Sequence, residues 1–300
     1  MADSSSLAAT STSQLSPFSS DQRTDDVNLG AKDQWRLSGE FGRKGSGQEE
    51  FNGTFGIVST QPGELAVADY WNKRVIICSN EGQHRGIIPL SERPRNIAVI
   101  NKMCMLVVVD TSKHVKVFNT DKELAFQFST VPLADIDNIE IDLRSIAVKA
   151  DGTLIVGDIK RMVWTEHMPT DGLLLRTITV QIAPYYLAVD DSTDKVVISG
   201  YENKQVDITD RNGIVHSSIK PLIKGQPVGC CLGVRINQSG IYVGVSNGWN
   251  SAGHIHLYDA NGVFLDCLAQ GLTFPLGIAF SSDGQLAVAE GFSVKMYDKA

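Results

Sequence analysis

The sequence of 300 residues contains no apolar run approaching the roughly 18 residues that a membrane helix requires. A helical membrane span is excluded. The opening stretch, MADSSSLAATSTSQLSPFSS, has no basic start and no apolar centre, and its first arginine is Arg23. It resembles neither a signal peptide nor a transit peptide, and the chain is expected in the cytoplasm. Its five cysteines (Cys78, Cys104, Cys230, Cys231 and Cys267) are an odd number without a C-x-x-C pair, which argues against a disulfide framework and a zinc module. They are expected to be buried thiols. No segment keeps a helical period for three turns, no G-x-S-x-G elbow occurs, and GRKGSG at 42–47 lacks the Lys-Ser/Thr of a phosphate loop.

What is present describes a soluble globular chain, 42% hydrophobic and 20% charged, with a net charge of −7 that gives no support to bulk nucleic-acid binding. Residues 1–33 are rich in Ser and Thr and poor in periodic apolar residues. They are expected to form a disordered tail, because they cannot bury enough surface to offset the entropy of ordering. From Trp35 onward the texture becomes short apolar runs separated by Gly, Asp-Gly and Asn-Gly, which indicates an all-β body over 34–300.

That body repeats. GELAVAD, ending at Asp69, recurs as MCMLVVVD (Asp110), GTLIVGD (Asp158), DKVVISG (Gly200), GIYVGVS (Ser246) and GQLAVAE (Glu290), at spacings of 41–48 residues. A period in the forties, with four short strands per unit, is what a propeller blade needs. The first two strands of each unit are apolar on both faces, as expected for sheets packed between two others. The last unit, ending SVKMYDKA, lacks an outer strand, while WRLSGEFG at 35–42 has no unit of its own. Pairing the two closes a ring of six four-stranded antiparallel blades and covers an open edge.

The pattern F-G-R-K-G-S-G…F…G-I-V…G-E-L-A-V-A-D-Y-W-N-K-R-V-I-I resembles the NHL repeat, a six-bladed propeller module best known from the C-terminus of tripartite-motif ubiquitin ligases. The likeness covers 35–300 and fades in units three and four, where Gly200 replaces the Asp. It implies a partner-binding module that recruits a ubiquitin-pathway substrate or scaffold. The zinc modules of such a ligase are absent from this sequence, so the ligase step would belong to another protein or to a further N-terminal region. Regucalcin-like lactonases and the amidating lyase are neighbouring six-bladed families.

The polar hexapeptide carrying Asp69, Asn72 and Arg74 falls between the second and third strands of its unit. An Asp there caps the turn amides and an Arg pairs with it, and recurrence at Asp110 and Asp158 favours construction over catalysis. By resemblance, six-bladed hydrolases and lyases place metal ligands at inner strand ends. Here those strands offer Ile57, Ile97, Ile146, Leu187, Val234 and Ile278, with Asn96 the single plausible ligand. His254 and His256 form an H-x-H pair that needs a third ligand and otherwise faces solvent. The expectation is no cofactor, no metal and no enzyme activity.

Loops joining strands two to three, and one blade to the next, share a face. That face gathers Arg43, Lys44, Lys73, Arg74, Arg93, Arg95, Lys113, Lys160, Arg161 and Lys224, beside aromatics Trp71, Tyr201, Trp249 and Phe292. The other face carries Glu64, Asp151, Asp190, Asp191, Asp194, Asp210 and Asp283. Aromatic and Arg residues anchor protein interfaces and also stack and clamp single-stranded RNA. A protein partner on this loop face is the leading expectation, single-stranded RNA the alternative, and a regucalcin-like or lyase-type metalloenzyme a third.

Overall fold

Every apolar run of the repeat becomes a strand in the computed structural model, which describes residues 35–190, 192–249 and 251–299. The expected tail at 1–33 and Asp191 lie outside the described residues. Six antiparallel sheets of four strands follow one another. Blade one comprises Thr54–Ser59, Glu64–Asp69, Arg74–Ser79 and His84–Pro89, in that order from the axis outward. The inner strands of blades two to six are Pro94–Ile100, Leu143–Val148, Tyr186–Asp190, Cys230–Asn237 and Pro275–Phe280. Among the described residues no helix is long and apolar enough to cross a membrane.

The ring closes as the sequence predicts. Trp35–Phe41 pairs with Ser293–Lys299 in the register Trp35↔Lys299 to Phe41↔Val294, supplying the fourth strand of blade six. A bulge between Leu37 and Gly39 interrupts the pairing, and Ser38 donates from its hydroxyl to the Met296 carbonyl at 3.2 Å.

The core is a set of seams between blades, and strand alternation explains it. In Glu64–Asp69 the side chains of Leu65 and Val67 pack toward blade six, against Ala279, Ala287 and Ala289. Ala66 and Ala68 point the other way, into the seam with blade two, beside Ile97, Val99 and Val108. All four are fully buried. The inner strands approach so closely that a Cβ at Gly233 would sit 2.3 Å from the Leu276 carbonyl oxygen. Only glycine fits there.

The charged hexapeptide is a fastener. Asp69, fully buried, accepts from the Asn52 amide at 2.7 Å, from Asn72 Nδ2 at 2.8 Å and from Arg74 Nε at 2.8 Å. The remaining Arg74 nitrogens donate to the carbonyls of Ser46, Gly47 and Glu50, tying the hairpin to the loop that follows the closing strand. Asp158 repeats the scheme with Arg161 at 2.6 Å, and Asp110 pairs with Lys116.

Blade three buries a polar strand, Val163–His167. His167 contacts the Gly172 carbonyl at 2.9 Å and the Thr165 hydroxyl at 2.8 Å, and burial holds its imidazole at about 4, below the ordinary 6.5. As pH falls below 6.5 the unfolded chain takes up a proton that the folded chain refuses. Stability present at neutral pH is therefore lost progressively toward pH 4, by up to about 3 kcal/mol at 1.36 kcal/mol per unit. Thermal unfolding at pH 7 and pH 4.5 should show a smaller acid loss for His167→Gln than for the unchanged chain; equal losses would remove His167 as the cause.

Candidate functional site

All six inner strands line a cavity of about 350 Å³ on the propeller axis. Its wall carries Ile57, Ile97, Ile146, Leu187, Val234 and Ile278, one from each blade, with Asn96 and Tyr186 among them. Toward one face the lining turns polar with Ser59, Thr60, Gln61, Asn101 and Ser282. These residues end inner strands or follow them, so this mouth lies on the face opposite the basic and aromatic loops. None of the residues assigned to the loop face lines the cavity.

One cation stands in it. Arg235 lines the cavity, and its guanidinium makes no ion pair or hydrogen bond with any described residue. Water reaches the side chain, yet protein surrounds it, and this confinement lowers its pKa from the usual 12.5. It stays charged at neutral pH. Register shows why the site is single: Arg235 pairs with Tyr242 in blade five at the place where Val58, Ala98, Ala147, Ala188 and Ala279 pair with the second strands of the others. Five blades pack a small apolar residue there and one places a guanidinium. That break in the repeat is visible in GVRI beside GIV, SIAV and GIAF, though a lone arginine in a strand carries no motif that marks it as a site.

A divalent metal does not fit this cavity. Among the described lining residues there is no Asp, Glu or His, and the oxygens offered are amides and hydroxyls beside a fixed positive charge. The half-buried Tyr186 phenol is pushed up by desolvation and holds its proton.

The loop-face residues are real neighbours in part. Trp71 is half-exposed, with the Arg93 guanidinium 4.3 Å from its ring centroid and Tyr70 edge-on at 5.0 Å. Tyr201 and Trp249 are joined through Phe274, at 6.2 and 4.8 Å, while Phe292 sits apart under Lys44 at 5.1 Å. The basic arc is largely neutralised. Arg43 pairs with Glu50, Arg74 with Asp69, Arg95 with Asp142, Lys160 with Glu140 and Arg161 with Asp158. Lys73 donates to the Ser91 carbonyl and Lys113 to that of Ile136.

The thiols also differ from expectation: Cys78, Cys230 and Cys231 are buried, whereas Cys104 is exposed and Cys267 half-buried. Cys104 sits in the left-handed turn ending a short 3-10 segment, at the surface edge of the seam between blades one and two.

No family model and no curated protein sequence matches the chain. Solved structures do share the fold. A streptogramin B lyase is similar over 89% of this chain and 98% of its own, with a TM-score of 0.62 and 10% identity. A gluconolactonase from Xanthomonas campestris is similar over 83% of this chain and 87% of its own, with a TM-score of 0.67 and 13% identity. At such identity the likeness establishes the architecture. The expectation of a chain without enzyme activity is corrected on this finding, since these two neighbours are named as enzymes and neither is named as an NHL module. The expectation rested on the lack of convergent metal-ligating carboxylates at the inner strand ends, and the charge lining the axial cavity is instead the Arg235 guanidinium.

Proposed function

We propose that the axial cavity is the working site of an enzyme-type propeller that takes a small substrate bearing a carboxylate or a polarised ester or lactone carbonyl. The observation that carries this is Arg235, whose guanidinium has no ion pair or hydrogen bond to any described residue and lines an otherwise uncharged axial cavity of small-molecule size. A cation recessed in a cavity favours an anionic ligand, and equally a carbonyl oxygen on which negative charge develops. Asn96 and Asn101 offer amides for orientation. The fold neighbours named as a lyase and a gluconolactonase support the reaction class.

Titration with gluconate and turnover of glucono-lactone are the probes. Saturable binding is expected, weakened about 10- to 100-fold in Arg235→Ala, in line with roughly 1.5–3 kcal/mol for a charged hydrogen bond. Binding or turnover that is unchanged in Arg235→Ala would reject the site.

A second reading has its own observation. We propose that the loop face, by the NHL resemblance, takes a protein partner such as a ubiquitin-pathway substrate, anchored by Trp71 and Trp249, each 50% exposed. The paired state of the basic arc favours protein over RNA. Capture by the unchanged chain that is lost in Trp71→Ala and Trp249→Ala supports it; capture of RNA with a steep salt dependence would replace it with the nucleic-acid reading.

A further inference from the structure

The third and outer strands of blade five, Ala252–Tyr258 and Phe264–Thr273, bring together three side chains that the cavity does not use. His254 and His256 stand two residues apart and so share a face. Cys267 lies directly opposite His256 across the pair, on that same face. The sequence offered the H-x-H pair without a third donor, because Cys267 is eleven residues beyond His256 and its arrival depends on the register. His256 was expected to face solvent, but it is 3% exposed.

We propose that His254, His256 and Cys267 hold a thiophilic metal ion, with zinc the ion whose geometry they match. One donor atom from each lies within 4.8 Å of the others. The His254 Nδ1 to Cys267 Sγ separation is 3.5 Å. An ion with metal–nitrogen and metal–sulfur bonds of about 2.0–2.1 and 2.3 Å, at a tetrahedral angle, requires those two donors to be about 3.5 Å apart. The third donor is also oriented. His256 Nδ1 is 3.2 Å from the Tyr258 hydroxyl, which leaves Nε2 as its free ligand atom and fixes the ring as outer-shell partners do.

Two imidazoles and a thiolate are a borderline-to-soft donor set that selects zinc or copper(I) over magnesium or calcium. Binding releases the Cys267 thiol proton to solvent. Lys224, close enough to act on His254, opposes a cation, and the thiolate offsets it. Gln270 also reaches Cys267, and the half-exposed edge leaves a fourth position for water. The place is one where a cross-link has work to do. The pairing of these two strands breaks register three times, between Gly253 and His254, Ile255 and His256, and Leu257 and Tyr258. A metal bridging both strands would fasten the outer edge of the blade.

The test is metal content and cobalt(II) titration of the purified full chain. One equivalent of zinc or copper is expected, and cobalt should give a sulfur-to-metal charge-transfer band with intense tetrahedral visible bands. Cys267→Ser and His254→Gln should each weaken zinc binding by about 100-fold and abolish or shift the sulfur band, while Cys104→Ser, at an exposed thiol elsewhere, leaves both unchanged. Circular dichroism of the variants confirms that the blades persist. A chain that binds no stoichiometric metal at micromolar zinc, or whose cobalt band survives Cys267→Ser, overturns the assignment.

Discussion

Asp69→Ala should lower the unfolding free energy by about 3–5 kcal/mol, the cost of stranding one partner of a buried ion pair. The side chain is fully buried and Arg74 is 11% exposed, so solvent screens little of the interaction. Loss of the carboxylate removes the acceptor of the Asn52 amide and of Asn72, and leaves the Arg74 guanidinium charged against carbonyls alone. In a domain of this size about 10 °C of melting temperature is at stake. Arg74→Ala should cost less than Asp69→Ala, because Asp69 keeps its two neutral donors. The double variant should fall short of the sum of the single losses, since both changes remove one network. Additive losses would show that the two side chains act independently and that the fastener reading is wrong.

A chain beginning at Gly42 should lose the native monomer, whereas one beginning at Asp33 should melt close to the full chain. The closing strand contributes six paired positions and the partly buried rings of Trp35 and Phe41. At about 1 kcal/mol per net backbone hydrogen bond and roughly 1 kcal/mol for each half-buried ring, its contribution approaches the 5–15 kcal/mol that typically holds a domain together. Its removal also exposes the edge of Ser293–Lys299, a template for pairing with another molecule. Size-exclusion chromatography and thermal melts would check this. A truncated chain that stays monomeric and melts within a few degrees of the longer one would show that blade six is stable with three strands.

Much of this architecture is legible without coordinates because its information is local and repeated. GELAVAD places Leu65 and Val67 on one side of a strand and Ala66 and Ala68 on the other, and burial on both faces follows from the absence of a polar position between them. The closing strand was legible for a similar reason: one end lacks a strand and the other has one to spare. Asp69 reads as construction because an Asp recurs at Asp110 and Asp158, and its bonds to Asn52, Asn72 and Arg74 fit that reading, whereas Arg74, also assigned to the loop face, is paired with Asp69.

The sites were less legible. Arg235 is a single residue in a run that otherwise reads GV-I, and its meaning depends on six inner strands converging around a cavity on the axis. Cys267 becomes a neighbour of His254 and His256 through a register that bulges set and that no spacing in the chain encodes. Counting loops assigned the cations to a shared face, but whether their charge is free could not be judged from the sequence. Whether Arg95 meets Asp142, or Lys160 meets Glu140, depends on side chains from different turns arriving within reach.

The order of residues alone therefore determined the strand content, the sixfold repeat and the join between its ends, since each follows from alternation and period within a few dozen residues. The three-dimensional arrangement decided which charges are spent on one another, which one is left free on the axis, and which thiol reaches two imidazoles. The axial cavity depends on six strands far apart in the chain converging as the ring closes, whereas the thiol's place depends on the bulged register of one strand pair.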